Sequence, residues 1–65
     1  MKYVAVCKAL YDYSARTSDE IDITEDEIVY VIEKEDDDWW RAELKSANGT
    51  GPVGLVPATY LEEVS

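Results

Sequence analysis

Trp39-Trp40-Arg41-Ala42-Glu43-Leu44 is the stretch whose reading decides the fold class. A strand turns successive side chains to opposite faces, so a period of two sorts these residues into two sets. Trp40, Ala42 and Leu44 form an apolar face that belongs against a core. Trp39, Arg41 and Glu43 form a polar face that belongs in solvent. Trp39 is the oddity, a large aromatic ring on a wet face. A half-buried strand of this kind needs partners, and the flanking sequence supplies them.

Upstream, Ile28 to Ile32 is a continuous apolar run of strand length with charges on both sides. Glu33 to Asp38, between the two strands, is a strongly acidic loop. Ile21 and Ile23 flank Asp22, which predicts a short extended piece with one buried face. Thr24 to Glu27 is a polar turn, and Ser14 to Glu20 a polar loop. Lys2 to Tyr13 is enriched in aromatic and β-branched residues and reads as the first strand. Downstream, Lys45 to Gly51 contains Asn48-Gly49, a turn signal that favours positive φ. Val53 to Val56 reads as a short strand broken by Gly54. Pro57 to Tyr60 reads as a tight helical turn, and Leu61 to Val64 as a closing strand. Five short strands joined by polar loops predict an all-β chain. Its architecture is a small five-stranded barrel, or pair of orthogonal sheets, with a short 3-10 turn before the last strand. The pattern alone leaves more than one small-barrel family open.

With 65 residues the chain is one small domain. At this size a single core stabilises a fold only marginally. Cys7 is the only cysteine, so no internal disulfide forms, and the absence of histidine removes the commonest zinc ligand. Asp36-Asp37-Asp38 lacks the alternation and glycine of a calcium loop. Neither a metal nor another cofactor is expected. Stability must come from packing of the 46% hydrophobic residues. The net charge of −9 disfavours nucleic acid and anionic membranes as partners and favours a basic one. No apolar run approaches the roughly 20 residues of a membrane span. The lone cysteine, without a signal-peptide layout, fits a reducing, cytoplasmic compartment. Catalysis is disfavoured. Cys7 lies in an apolar strand with only Lys8 as a basic neighbour, and nothing organises the plentiful carboxylates around a cleft.

Four segments together resemble the SH3 domain family: Ala9-Leu10-Tyr11-Asp12-Tyr13, Asp19-Glu20-Ile21, Trp39-Trp40 and Gly54-Leu55-Val56-Pro57-Ala58-Thr59-Tyr60. Their order and spacing match the family over nearly the whole chain. The strings Asp37-Asp38-Trp39-Trp40 and Gly54-Leu55-Val56-Pro57-x-Thr59-Tyr60 are similar to those of fungal adaptors of endocytic actin patches. The resemblance implies a single SH3 domain over residues 1–65, excised from a larger cytoskeletal, endocytic or signalling adaptor and acting as a monomer. It implies a peptide groove formed by Tyr11, Tyr13, Trp39, Pro57 and Tyr60. Glu20 matches the acidic position that pairs with an Arg or Lys of the ligand, and Asp19 and Asp38 flank the same side. Leu55 and Thr59 form a secondary rim. They depart from the tyrosine and asparagine common at their positions, so that rim is more apolar and lacks an amide donor. Asp26 stands where the family usually has glycine, and Asp tolerates left-handed backbone better than most residues.

The residue types suit a polyproline II ligand. Such a segment is extended before binding and loses little entropy on docking. Flat, rigid aromatic rings wall its proline rings, and their polar tips reach its free carbonyls. The implied partners are therefore proline-rich segments carrying basic residues. Two alternatives use the same residues. An aromatic cage of Tyr11, Tyr13, Trp39 and Tyr60 suits a methyl-lysine, and the groove suits an intramolecular segment of the parent protein. A row of rings favours proline, and a closed box favours the cation.

Overall fold

Strand formation follows the alternation of small and β-branched residues. β1 (Ala5–Ala9) turns Ala5, Cys7 and Ala9 inward, β2 (Ile28–Glu33) turns Val29 and Val31 inward, and β3 (Trp39–Glu43) contributes Ala42. β4 (Val53–Pro57) adds Val56. A 3-10 turn at Ala58–Tyr60 leads into β5 (Leu61–Glu63). The computed structural model describes residues 3–45, 49 and 51–64. Every strand pairing is antiparallel, in the order β4-β3-β2-β1-β5. The five-stranded sheet with its 3-10 turn is the expected all-β barrel. The core divides into a larger cluster around Val29, Ala42 and Val56, joined by Ile21, Ile23 and Leu44, and a smaller one of Ala5, Cys7 and Val31. Four inward positions are Ala or Cys, which lets so short a sheet curl tightly around itself.

The outer edge of β4 is covered by the chain itself. The Leu55 N–H donates to the Asp19 carbonyl at 2.8 Å, and the Ile21 N–H donates to the Leu55 carbonyl at 3.2 Å. Glu20 thereby forms a parallel bridge with Leu55. An exposed sheet edge invites pairing with other chains, and the 14–20 loop removes that edge. Gly54 is what lets the loop sit there. A Cβ at this position would lie 2.8 Å from both the Asp19 carbonyl oxygen and Ile21 Cγ2. The expected break at Gly54 is therefore absent, and the residue lies within β4 opposite Ala42. Its glycine marks a close approach of backbone, not an interruption of the strand.

Two further expectations are corrected. The first strand ends at Ala9, short of Tyr13. Beyond that point the hydrogen bonds change partner: the Leu10 N–H turns to the Tyr60 carbonyl, and the Asp12 carboxylate accepts the Glu25 N–H. Tyr13 re-enters pairing only as an isolated bridge to Ile23. Glu43, assigned to solvent by parity, is only 8% exposed. It does lie on the outer face, but Tyr3 folds across it and donates its hydroxyl to Glu43 Oε1 at 2.6 Å. Tyr3 also packs on Tyr30, with Lys45 Nζ over both rings.

The hairpin signal falls partly outside the described residues, which omit Asn48 but include Gly49 with φ +94°. Asp26 adopts φ +74°. Its N–H donates to the Ala9 carbonyl at 2.8 Å, and Lys8 lies 3.9 Å from its carboxylate. Glycine reaches this conformation without a Cβ penalty. Asp26→Gly is expected to stabilise the domain by about 0.5 kcal/mol net, because the exposed Lys8 pair it removes contributes little. A urea denaturation midpoint that falls instead would show that the ion pair outweighs the backbone strain.

Candidate functional site

Each of the three segments that build the site is held by local bonds. The acidic loop before β3 is organised by Asp36. Its Oδ1 accepts the N–H groups of Asp38 at 2.8 Å and Trp39 at 2.7 Å. Short acidic side chains form such turns with backbone two and three residues ahead. The sequence placed Asp36 only within a strongly acidic loop, yet its spacing to Trp39 is the signal of this turn. The Asp38 carbonyl then accepts the Ala58 N–H at 2.8 Å, and Trp39 pairs with Pro57 across the ladder. Trp39 is fixed at the start of its strand and half-buried, less wet than parity implied.

Tyr13 is held by its two backbone bonds to Ile23, and Tyr60 by its carbonyl, which accepts the Leu10 N–H at 2.7 Å. Tyr11 is 58% exposed. The rings meet in sequence: Tyr11 to Tyr60 at 5.4 Å, Tyr60 to Tyr13 at 5.6 Å, Tyr13 to Trp39 at 6.1 Å, all edge-to-face. Such contacts are favourable beyond simple burial. The result is an open row of four rings. Tyr11 and Tyr13 thus meet the same ring, as alternation on one strand would have arranged, although neither belongs to β1. Pro57 is buried, beside Trp39 in the register. Leu55 is half-buried, and Thr59 is exposed on the 3-10 turn.

Glu20 is bonded within its own loop. Its Oε1 accepts the Tyr13 hydroxyl at 2.5 Å and the Arg16 N–H at 3.0 Å, and its Oε2 accepts the Thr17 hydroxyl at 3.2 Å. These bonds, the Tyr13 hydroxyl first, hold the Glu20 carboxyl below its ordinary pKa. The same bond raises the Tyr13 hydroxyl above its own. Asp19 and Asp38 are exposed, and neither carboxylate has a bonded partner among the described residues. Several cations are engaged elsewhere. Arg41 pairs with Glu35 at 2.6 Å, and Lys34 lies between Glu63 and the Trp40 ring.

Cys7 is fully buried, and burial pushes its thiol pKa up, which makes it a core residue and a poor nucleophile. Among the described residues no acidic or thiol side chains converge as a metal-ligand set, and no helix is long and apolar enough to cross a membrane.

The family model for the SH3 domain matches residues 8–58. The chain is 47% identical over 73 residues to actin cytoskeleton-regulatory complex protein SLA1 of Mycosarcoma maydis, covering 97% of this chain and 6% of that protein. It therefore spans a small part of that relative's length. The C-terminal SH3 domain of myosin IB from Entamoeba histolytica superposes with a TM-score of 0.83 at 29% identity, covering 100% of both chains. The Acanthamoeba myosin I SH3 domain, solved bound to Acan125, gives 0.80 at 38% identity, covering 92% of this chain and 95% of that one.

Proposed function

The chain belongs to the SH3 domain family, and from that premise we propose a non-catalytic module that binds proline-rich segments in the polyproline II conformation, a basic ligand residue seated beside Trp39. The observation that carries this reading is the open row of Tyr11, Tyr60, Tyr13 and Trp39. A row of rings presents successive slots to a helix of three residues per turn. A cation cage would need its end rings, Tyr11 and Trp39, brought together around one point. The row therefore supports the proline ligand over the methyl-lysine.

Tyr11, Tyr13, Trp39, Pro57 and Tyr60 form the walls, Leu55 and Thr59 the rim, and Asp19, Glu20 and Asp38 the acidic side. Charge there sets ligand orientation and association rate more than affinity. The interface is small, so binding is expected in the micromolar range, about −7 to −8 kcal/mol. The likeness to an actin cytoskeleton-regulatory protein supports a place within a larger adaptor, and the domain is proposed to act there as a monomer. Its setting would be cytoplasmic, at cortical actin patches and the endocytic machinery, with no nucleic-acid or membrane partner.

An NMR titration with an Arg-containing Pro-x-x-Pro peptide tests the reading. Shifts concentrated at Tyr11, Tyr13, the Trp39 indole N–H and Tyr60 are expected. Their absence at millimolar peptide, with shifts from a methylated-lysine peptide instead, would transfer the site to the cage reading.

A further inference from the structure

Arg16 stands apart from the other described cations. Lys8 lies against Asp26, Lys34 against Glu63 and Arg41 against Glu35, and Lys45 sits over the Tyr3 and Tyr30 rings. Arg16 is exposed and has no ion-pair partner among the described residues. Acidic residues nonetheless surround it in sequence, at Asp19, Glu20 and Asp22. Two of these carboxylates are already committed within the loop. Glu20 accepts the Tyr13 hydroxyl, the Arg16 N–H and the Thr17 hydroxyl, and Asp22 Oδ1 accepts the Ala15 N–H at 2.7 Å.

The same bonds fix where the Arg16 side chain starts. The Arg16 N–H and the Tyr13 hydroxyl meet one oxygen, Glu20 Oε1, at 3.0 Å and 2.5 Å. The backbone of Arg16 is thereby tied beside the polar tip of Tyr13, the ring that joins Tyr60 to Trp39 in the row. Behind the Tyr13–Glu20 hydrogen bond, which dominates both pKa values, the Arg16 charge pulls each downward. The guanidinium therefore acts at the Tyr13 edge of the groove, with its donors unclaimed by any described carboxylate.

We propose that Arg16 is an anion seat at the edge of the groove, which takes a carboxylate or phosphate group of the ligand next to its proline-rich core. This rests on the peptide-binding reading above and adds a second charged contact to it. A planar guanidinium suits either group, because its parallel N–H donors match two oxygens of an anion. On a chain of net charge −9 the contact acts as a filter. The overall field draws in basic segments of many kinds. One cation rooted beside the row rejects those with a further positive charge at that place and accepts those with a negative one. The ligand class is thus a proline-rich segment of mixed charge, its acidic or phosphorylated residue facing the 14–20 loop.

The test walks one residue along the flanks of an Arg-containing Pro-x-x-Pro peptide. Each flanking position carries Glu, Gln, Lys or phosphoserine in turn, and affinities are measured by calorimetry at low salt. In the wild type, one position is expected where Glu binds about three- to fivefold more tightly than Gln, and Lys more weakly, the range of an exposed ion pair. Phosphoserine there should gain at least as much, because it carries more charge. Arg16→Gln should bring the Glu peptide down to the affinity of the Gln peptide. Arg16→Glu should reverse the order and make the Lys peptide the tightest. A merely structural role for Arg16 would weaken all the peptides together and could not exchange their order. A gain confined to phosphoserine, lost in Arg16→Gln, keeps the seat and names phosphate as its occupant. A Glu preference that persists in Arg16→Gln would overturn the proposal, as would peptides that bind the wild type equally whichever residue flanks them. If no peptide binds the wild type, the peptide-binding reading fails and the proposal fails with it.

Discussion

Trp39→Ala is expected to weaken binding of an Arg-containing proline-rich peptide by at least about thirtyfold, the cost of losing a central aromatic anchor. Trp39 ends the row of rings and directly follows Asp38, so its loss removes one wall of the proposed proline slot and the proposed stacking surface for the cation together. The fold should survive. Trp39 is half-buried and lies outside both core clusters. Its Asp36 and Pro57 contacts are made by backbone or register and do not need the indole. The principal loss is its edge contact with Tyr13, worth about 0.5–1.5 kcal/mol. Calorimetry and thermal denaturation on the same sample separate the two effects. Affinity within about threefold of wild type, in a folded variant, would remove Trp39 from the site.

Gly54→Ala should have the largest effect on stability, about 2–3 kcal/mol of destabilisation. The added methyl meets a backbone carbonyl and a branched core side chain at 2.8 Å, and neither swings aside. Relief requires lifting the 14–20 loop from β4, which breaks two backbone hydrogen bonds. For a domain this small the melting temperature should fall by about 10–20 °C. Gly49→Ala is the control. Its Cβ would meet nothing within 4 Å, so only the strain of φ +94° remains, at about 1 kcal/mol. Equal melting temperatures for the two variants would show that the loop does not press on β4 as described.

Most of the barrel is legible from period-two alternation, because burial of one strand face is a local pattern. Ile21, Ile23, Ala42 and Leu44 were all placed by it, and all are buried. The errors arise where a contact joins distant segments. Glu43 is polar and alternates outward, and nothing near it reveals that Tyr3, forty residues earlier, will cover it. Gly54 looks like a strand breaker until the 14–20 loop is seen resting on it. The aromatic positions of the site came from the motif resemblance, and the ring contacts put four of them in one row. The internal role of Glu20 was hidden, because a carboxylate facing a ligand and one facing its own loop have the same sequence. Asp36 was legible in principle through its spacing to Trp39, and was masked by the acidic residues around it.

The seating of the 14–20 loop on β4 has a consequence for folding. The contacts of Asp19 and Ile21 with Leu55 span more than thirty residues, and β1 meets β5 across almost the whole chain. Non-local closures of this kind are slow to form. The ligand row draws on segments that meet only after them, so no partly folded species owns a complete groove. Peptide binding and folding are therefore linked equilibria. A peptide at a hundred times its dissociation constant shifts the folding balance by about 2.7 kcal/mol. That is comparable to the penalty expected for Gly54→Ala, so a proline-rich partner in excess would refold a variant that fails to fold alone.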